Sequence, residues 1–167
     1  MARLVRVMMK PSDNYFAEML AKGVGFVASG RGTTAAGASA TAGFARRLGA
    51  VARLADGSGL SRGDRASPYR VGRLLLSIRA RGEFAAFFDS LPIAGRDGTL
   101  YNRMRRGAGR GRCRAKTGTL RRVSTLSGYC TARSGDVYVF SLLMDRVNVY
   151  GARRIQDRIA NAIAAAR

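Results

Sequence analysis

The sequence has 167 residues, with 30 Lys and Arg against 10 Asp and Glu, a net charge of +20, and no His or Trp. This length and a 47% share of hydrophobic residues are typical of one globular domain. The lack of His excludes a Ser-His-Asp triad and nearly all catalytic zinc sites, so we expect no metal and no cofactor, and any chemistry must use Ser, Lys, Asp or Tyr.

Apolar residues at helical spacing predict six helices. These cover residues 4–10, 15–20, 35–48, a segment that begins at Pro68 after a Ser67 cap, 83–91 and 151–166. Pro11 ends the first helix, and either Ser12 or Asp13 caps the second. The glycines in 23–32 and 56–61 predict loops, and the third helix is expected to pack through Phe44 and Leu48.

β-branched and apolar runs near the end of the chain predict three strands, 113–120, 124–131 and 137–144. The short turns between them favour an antiparallel meander. The expected fold class is therefore α+β in a single domain. Residues 1–106 are mostly helical, 107–150 hold the strands, and 151–167 form the C-terminal helix.

The positive charge permits a different interpretation, a basic binding module for nucleic acid or an anionic cell-wall polymer. The 27 Arg and 3 Lys are scattered, without the patterns of known nucleic-acid-binding motifs, so no specific nucleic-acid partner is expected. The sequence has no run of about 18 apolar residues, so it predicts no transmembrane segment. Residues 1–10 contain Arg3 and Arg6 and no cleavage site, so they do not have the pattern of a signal peptide.

Two short motifs contain residues suited to acyl transfer without His. They are Ser12-Asp13-Asn14, at a predicted helix start, and Lys116-Thr117-Gly118, in the first predicted strand. A buried Lys loses proton affinity and can relay charge, while a Thr hydroxyl can hold a carboxylate. Either motif alone is weak, because a Ser before a helix most often acts as a cap.

The order and flanks of these motifs strengthen the interpretation. Matching blocks occur at 9–14 with 16–20, at 56–62, at 91–95 with 97–100, and at 114–120 with 127–129. With these blocks the chain resembles the serine-type D-alanyl-D-alanine carboxypeptidase/endopeptidases, the class C low-molecular-mass penicillin-binding proteins. Asp64 departs from the family, which commonly has Asn there.

The resemblance implies a β-lactamase/transpeptidase-like (penicillin-recognising) fold, incomplete in this chain. It also implies an extracytoplasmic enzyme, in the periplasmic or cell-wall space, that acts on peptidoglycan stem peptides through a serine acyl-enzyme and is inhibited by β-lactams. Among the catalytic residues, Ser12 would relay a proton to the leaving amine and Asn14 would bind the substrate amide. Lys116 would supply positive potential and share a hydrogen bond with Ser12.

Three further residues would bind substrate according to the same resemblance. Thr117 would hold the terminal carboxylate, and Gly118 would keep the strand edge clear. The backbone N–H of Thr119 would provide half of an oxyanion hole.

The nucleophile of this family belongs to a Ser-x-x-Lys motif upstream of Ser-x-Asn, and the chain contains no Ser three residues before a Lys. We therefore expect a C-terminal part of a longer enzyme. It should be marginally folded and inactive alone, because apolar surface and sheet edges would be uncovered. A further possibility is an inactive partner that completes the site of another chain.

The two cysteines lie 17 residues apart. If Thr119 pairs with Ser124 across the turn, the same register places Cys113 opposite Cys130. A disulfide fits directly opposed, non-hydrogen-bonded positions, and an exported enzyme would permit it. Two buried thiols that pack as small apolar side chains agree equally well with the sequence.

Overall fold

The computed structural model describes residues 1–167, which form two compact units. One unit contains Met1–Ser12 and Ala80–Arg167, and the other contains Asp13–Arg79. The predicted helical part, 1–106, thus contributes to both. The helices are α1 (Ala2–Met9), α2 (Asn14–Ser29), α3 (Thr34–Arg47), α4 (Pro68–Arg79), α5 (Phe84–Ser90), a 3₁₀ turn (Gly98–Leu100) and α6 (Val149–Ala165).

In the 13–79 unit, the prediction of a loop at 23–32 is wrong. Helix α2 continues to Ser29 and is capped by Gly30, whose φ is 71°. Its glycines serve helix packing instead of breaking the helix. A Cβ on Gly25 would lie 2.5 Å from the backbone N of Gly37 in α3, and a Cβ on Gly37 would lie 2.5 Å from the carbonyl O of Ala21. Only residues without a side chain allow so close an approach.

The packing face of α3 also differs from the prediction. Its buried residues are Gly37, Ala38 and Ala45, whereas Phe44 is 38% exposed. Small residues form this face because the two helix backbones are so close. The expected start of α4 is confirmed, since Ser67 Oγ accepts a hydrogen bond from the backbone N–H of Arg70 at 3.3 Å and Pro68 is the first helical residue.

The other unit contains the sheet, whose strands β1 (Cys113–Leu120), β2 (Val123–Thr131) and β3 (Val137–Asp145) lie in the order β1-β2-β3. The predicted antiparallel meander is confirmed, as is the register that places Thr119 opposite Ser124. A disulfide joins Cys113 and Cys130, which lie directly opposite each other in β1 and β2. Both cysteines are fully buried.

Helices cover the two faces of this sheet. Ala160 and Ala164 of α6 form a core cluster with the strand residues Cys113, Ala115 and Leu126. On the opposite face, the ring of Tyr129 packs edge-on against two Phe rings of α5. No helix has the length and apolar character that crossing a membrane requires.

Candidate functional site

Lys116 and Ser12 are 104 residues apart in the chain and in contact in the fold. Nζ of Lys116 donates a hydrogen bond to Ser12 Oγ at 2.5 Å and another to the carbonyl O of Thr117 at 2.7 Å. Burial lowers the pKa of Lys116 to about 8, because a desolvated ammonium is less stable than a hydrated one. The lysine can therefore gain or lose a proton close to neutral pH.

Ser12 has an unusual backbone conformation, with φ 62°. Residues with a side chain rarely adopt this left-handed region, and such positions cluster at functional sites. The sequence left open which residue caps α2, and the structure assigns the cap to Asp13, whose carboxylate accepts a hydrogen bond from the N–H of Phe16 at 2.8 Å. The Ser12 hydroxyl is thereby left to Lys116.

The segment that carries Ser12 is anchored by Lys10, which the sequence analysis did not single out. Lys10 Nζ donates to the carbonyl O of Leu91 and to Asp97 Oδ2, both at 2.7 Å. The backbone N–H of Thr99 donates to the carbonyl O of Lys10 at 3.1 Å. A Cβ on Gly98 would lie 2.5 Å from that same oxygen, so this approach requires glycine.

These anchoring residues belong to the sequence blocks on which the family resemblance rests. Membership in those blocks was the one feature of the sequence that could have pointed to them. Their pairing was not predictable because Lys10 and Asp97 are 87 residues apart. The same anchor reaches Thr117, whose hydroxyl donates to Thr99 Oγ1 at 2.8 Å. Lys10, two residues before Ser12, and Thr117 are thus both hydrogen-bonded to residues 91–99.

The outer edge of β1 is open beside these side chains. Further back on β1, the N–H of Ala115 donates to the carbonyl O of Pro92, and the carbonyl O of Cys113 accepts from the N–H of Ala94. Backbone groups alternate between the two edges of a strand. The N–H groups of Thr117 and Thr119 therefore face the same outer edge, where no strand of the sheet pairs with them.

Gly118 lies opposite Thr125 of β2. A Cβ on Gly118 would collide with Thr125 Oγ1. The structure thus gives a reason for this glycine inside the sheet, besides the clear strand edge that the resemblance implies.

The remaining predicted site residue, Asn14, is the first residue of α2 and belongs to the 13–79 unit. The structure thus brings together Ser12, Lys116 and Thr117, and Thr119 follows on the same strand edge. It contains no group of three or more His, Cys, Asp and Glu side chains that could hold a metal ion.

Comparisons with known proteins agree with this geometry. The model of the D-Ala-D-Ala carboxypeptidase 3 (S13) family matches residues 1–166. A D-alanyl-D-alanine carboxypeptidase of Actinomadura sp. (strain R39) is 37% identical over 164 residues, which are 93% of this chain and 30% of that protein. The carboxypeptidase DacB of Mycolicibacterium smegmatis is 37% identical over 163 residues, covering 90% of this chain and 35% of the relative.

Among solved structures, penicillin-binding protein 4 of Haemophilus influenzae in complex with a β-lactam superposes with a TM-score of 0.86 at 27% identity. The match covers 98% of this chain and 41% of that one. The chain spans about a third of the length of the curated relatives it matches. Its fold is part of the penicillin-recognising fold, and the chain belongs to the D-Ala-D-Ala carboxypeptidase 3 (S13) family.

Proposed function

We propose that this chain forms the proton-relay and substrate-binding half of a serine-type D-Ala-D-Ala carboxypeptidase/endopeptidase of peptidoglycan metabolism. The observation that carries the proposal is the hydrogen bond from Lys116 Nζ to Ser12 Oγ, beside a strand edge open to a peptide. The names of the relatives support the same substrate.

Ser12 and Lys116 are proposed to move the proton that the leaving group needs. When the peptide bond between the last two residues breaks, the departing amine requires one proton. Ser12 Oγ would donate it, and Lys116 Nζ would replace it along the hydrogen bond that joins the two atoms. A lysine pKa of about 8 suits this exchange, because both protonation states are then populated near neutral pH.

The open edge of β1 is proposed to hold the substrate. The Thr117 hydroxyl would bind its terminal carboxylate, and the Thr119 N–H would donate to the oxyanion that develops during acylation. Gly118 would let the peptide lie close to the strand. Asn14, two residues after Ser12, would bind the substrate amide.

The acylating serine and its lysine base are proposed to lie in polypeptide outside residues 1–167, because no Ser precedes a Lys by three residues in this sequence. The chain alone would then bind substrate without cleaving it. An extracytoplasmic location is part of the proposal and is supported by the Cys113–Cys130 disulfide, since such bonds persist in oxidising compartments.

A fluorescent penicillin tests the missing nucleophile. Incubation with the 167-residue chain should leave no covalent label after denaturing electrophoresis, whereas an intact penicillin-binding protein run in parallel is labelled. Stoichiometric labelling of the chain would refute the proposal that its nucleophile lies elsewhere.

Titration with diacetyl-L-lysyl-D-alanyl-D-alanine, followed by ¹H–¹⁵N NMR, tests the binding half. We expect saturable shifts at Ser12, Thr117 and Thr119, and an affinity about tenfold lower in Lys116→Met, because the positive potential that Lys116 would supply to the substrate carboxylate is lost. Lys22→Met, which removes the same charge from α2 in the other unit, should bind as the wild type does. Equal affinity of the Lys116→Met and Lys22→Met variants would contradict the assignment.

A further inference from the structure

Helix α6 places an arginine at the end of the open β1 edge. Arg153 Nη2 donates a hydrogen bond to the Thr119 hydroxyl at 3.0 Å. The backbone N–H of Thr119 faces the outer edge of β1, two residues beyond Thr117. A guanidinium group thus lies beside the strand segment that the proposed function assigns to substrate.

This guanidinium has no acidic partner. None of the four ion pairs in the structure includes Arg153. Asp157, one turn further along α6, instead accepts hydrogen bonds from Arg103 Nε at 3.0 Å and Nη2 at 2.7 Å. The bond to Thr119 uses one of the five N–H donors of Arg153, so a cation with spare donors remains at the edge.

A polar network fixes the part of α6 that carries Arg153. Arg103 Nη2 donates to the carbonyl O of Arg153 at 3.3 Å and to Gln156 Oε1 at 3.0 Å. Ser124, which lies opposite Thr119 in the sheet, donates to the same Gln156 oxygen at 3.3 Å. Gln156 and Ser124 are both buried. Their hydrogen bond therefore holds α6 against the strand residue that lies opposite Thr119.

We propose, on the basis of the proposed function, that Arg153 and Thr117 together bind the free α-carboxylate of the substrate's leaving residue. Thr117 and Thr119 are about 7 Å apart along the strand, a span that a guanidinium held at the Thr119 hydroxyl can bridge. Arginine is suited to this contact because its planar N–H fork matches a carboxylate. The site therefore selects peptides whose leaving residue ends in a free carboxylate over the same peptides capped as amides.

The test compares diacetyl-L-lysyl-D-alanyl-D-alanine with its C-terminal amide, titrated by NMR into the whole 167-residue chain. The wild type should bind the acid about tenfold more tightly than the amide. In Arg153→Gln the two affinities should become nearly equal. The matched control is Arg154→Gln, which removes the same charge from the exposed neighbouring position and should keep the preference for the acid.

The outcomes separate this inference from the function on which it rests. If Arg153→Gln retains the tenfold preference, the role of Arg153 is refuted and the proposed function stands. If the wild type binds neither peptide, the proposed function fails and the inference fails with it. Arg153→Lys keeps the positive charge and should bind the acid more tightly than Arg153→Gln does, and equal acid affinities of these two variants would also overturn the inference.

Discussion

At the scale of single residues, Lys116 connects the chemistry of the site to the stability of the fold. Its Nζ is held by Ser12 Oγ and by the carbonyl O of Thr117, and its burial costs free energy when it carries a charge. The same desolvation that makes the lysine a useful proton carrier therefore makes the folded state sensitive to pH.

The sign of this effect follows from the two pKa values. Lys116 has a pKa of about 8 in the folded chain and about 10.5 when solvated. Between these values the unfolded chain holds a proton that the folded chain has released, so the free energy of unfolding rises as the pH increases from about 8 to 10.5. Below pH 8 both states are protonated and this contribution no longer changes.

Urea unfolding at pH 7, 8, 9 and 10 measures how the free energy of unfolding depends on pH. Lys116→Met should flatten the increase in the free energy of unfolding above pH 8, whereas Lys22→Met should leave it unchanged. An identical pH dependence in the wild type and Lys116→Met would show that the lysine is not desolvated.

At the scale of elements, the contact between α2 and α3 depends on two glycines. Gly25 and Gly37 bring the helix backbones so close that a Cβ on either would meet backbone atoms of the other helix at 2.5 Å. Nothing lies within 4 Å of a Cβ on Gly23, in the same helix. Substitutions at Gly23 and Gly25 therefore distinguish the packing role of a glycine from its cost to helix stability.

Gly25→Ala is expected to lower the free energy of unfolding by about 1–3 kcal/mol, because the helices must move apart. Gly23→Ala should instead raise it by about 0.5–1 kcal/mol, since alanine favours the helix. Chemical denaturation of both variants gives the comparison. Stabilisation by Gly25→Ala would rule out the close packing of these helices.

The same helices show where sequence reasoning succeeds and fails. Strand alternation and short turns are local, so the meander and its register were predictable. Gly23 and Gly25 were interpreted as loop residues, because the sequence does not reveal that α3 lies against them. The bond between Lys10 and Asp97 spans 87 residues, and no local pattern encodes it. The contact of Ser12 with Lys116 was anticipated only through the family resemblance.

At the scale of the whole molecule, positive charge exceeds what the chain can neutralise. Ten acidic side chains can neutralise at most a third of the charge of the thirty basic ones. The remaining cations repel one another, and this repulsion disfavours the compact state. Dissolved salt weakens it, since the Debye length falls from about 30 Å at 0.01 M to about 8 Å at 0.15 M ionic strength.

The midpoint of thermal unfolding should therefore rise by a few degrees between 20 mM and 300 mM NaCl, as measured by circular dichroism. KCl at the same concentrations should have the same effect, because screening depends on ionic strength. A midpoint that falls with salt would mean that attractive ion pairs outweigh the repulsion.

The disulfide described above also closes a covalent ring. Cys113 and Cys130 are the ends of a loop that includes Lys116, Thr117, Thr119 and the whole β1–β2 turn. The turn residues Arg121 and Arg122 are exposed and are a cleavage site for trypsin-like proteases. A single cut there would leave both strands joined through the disulfide, so the hairpin is protected against dissociation after cleavage of its turn.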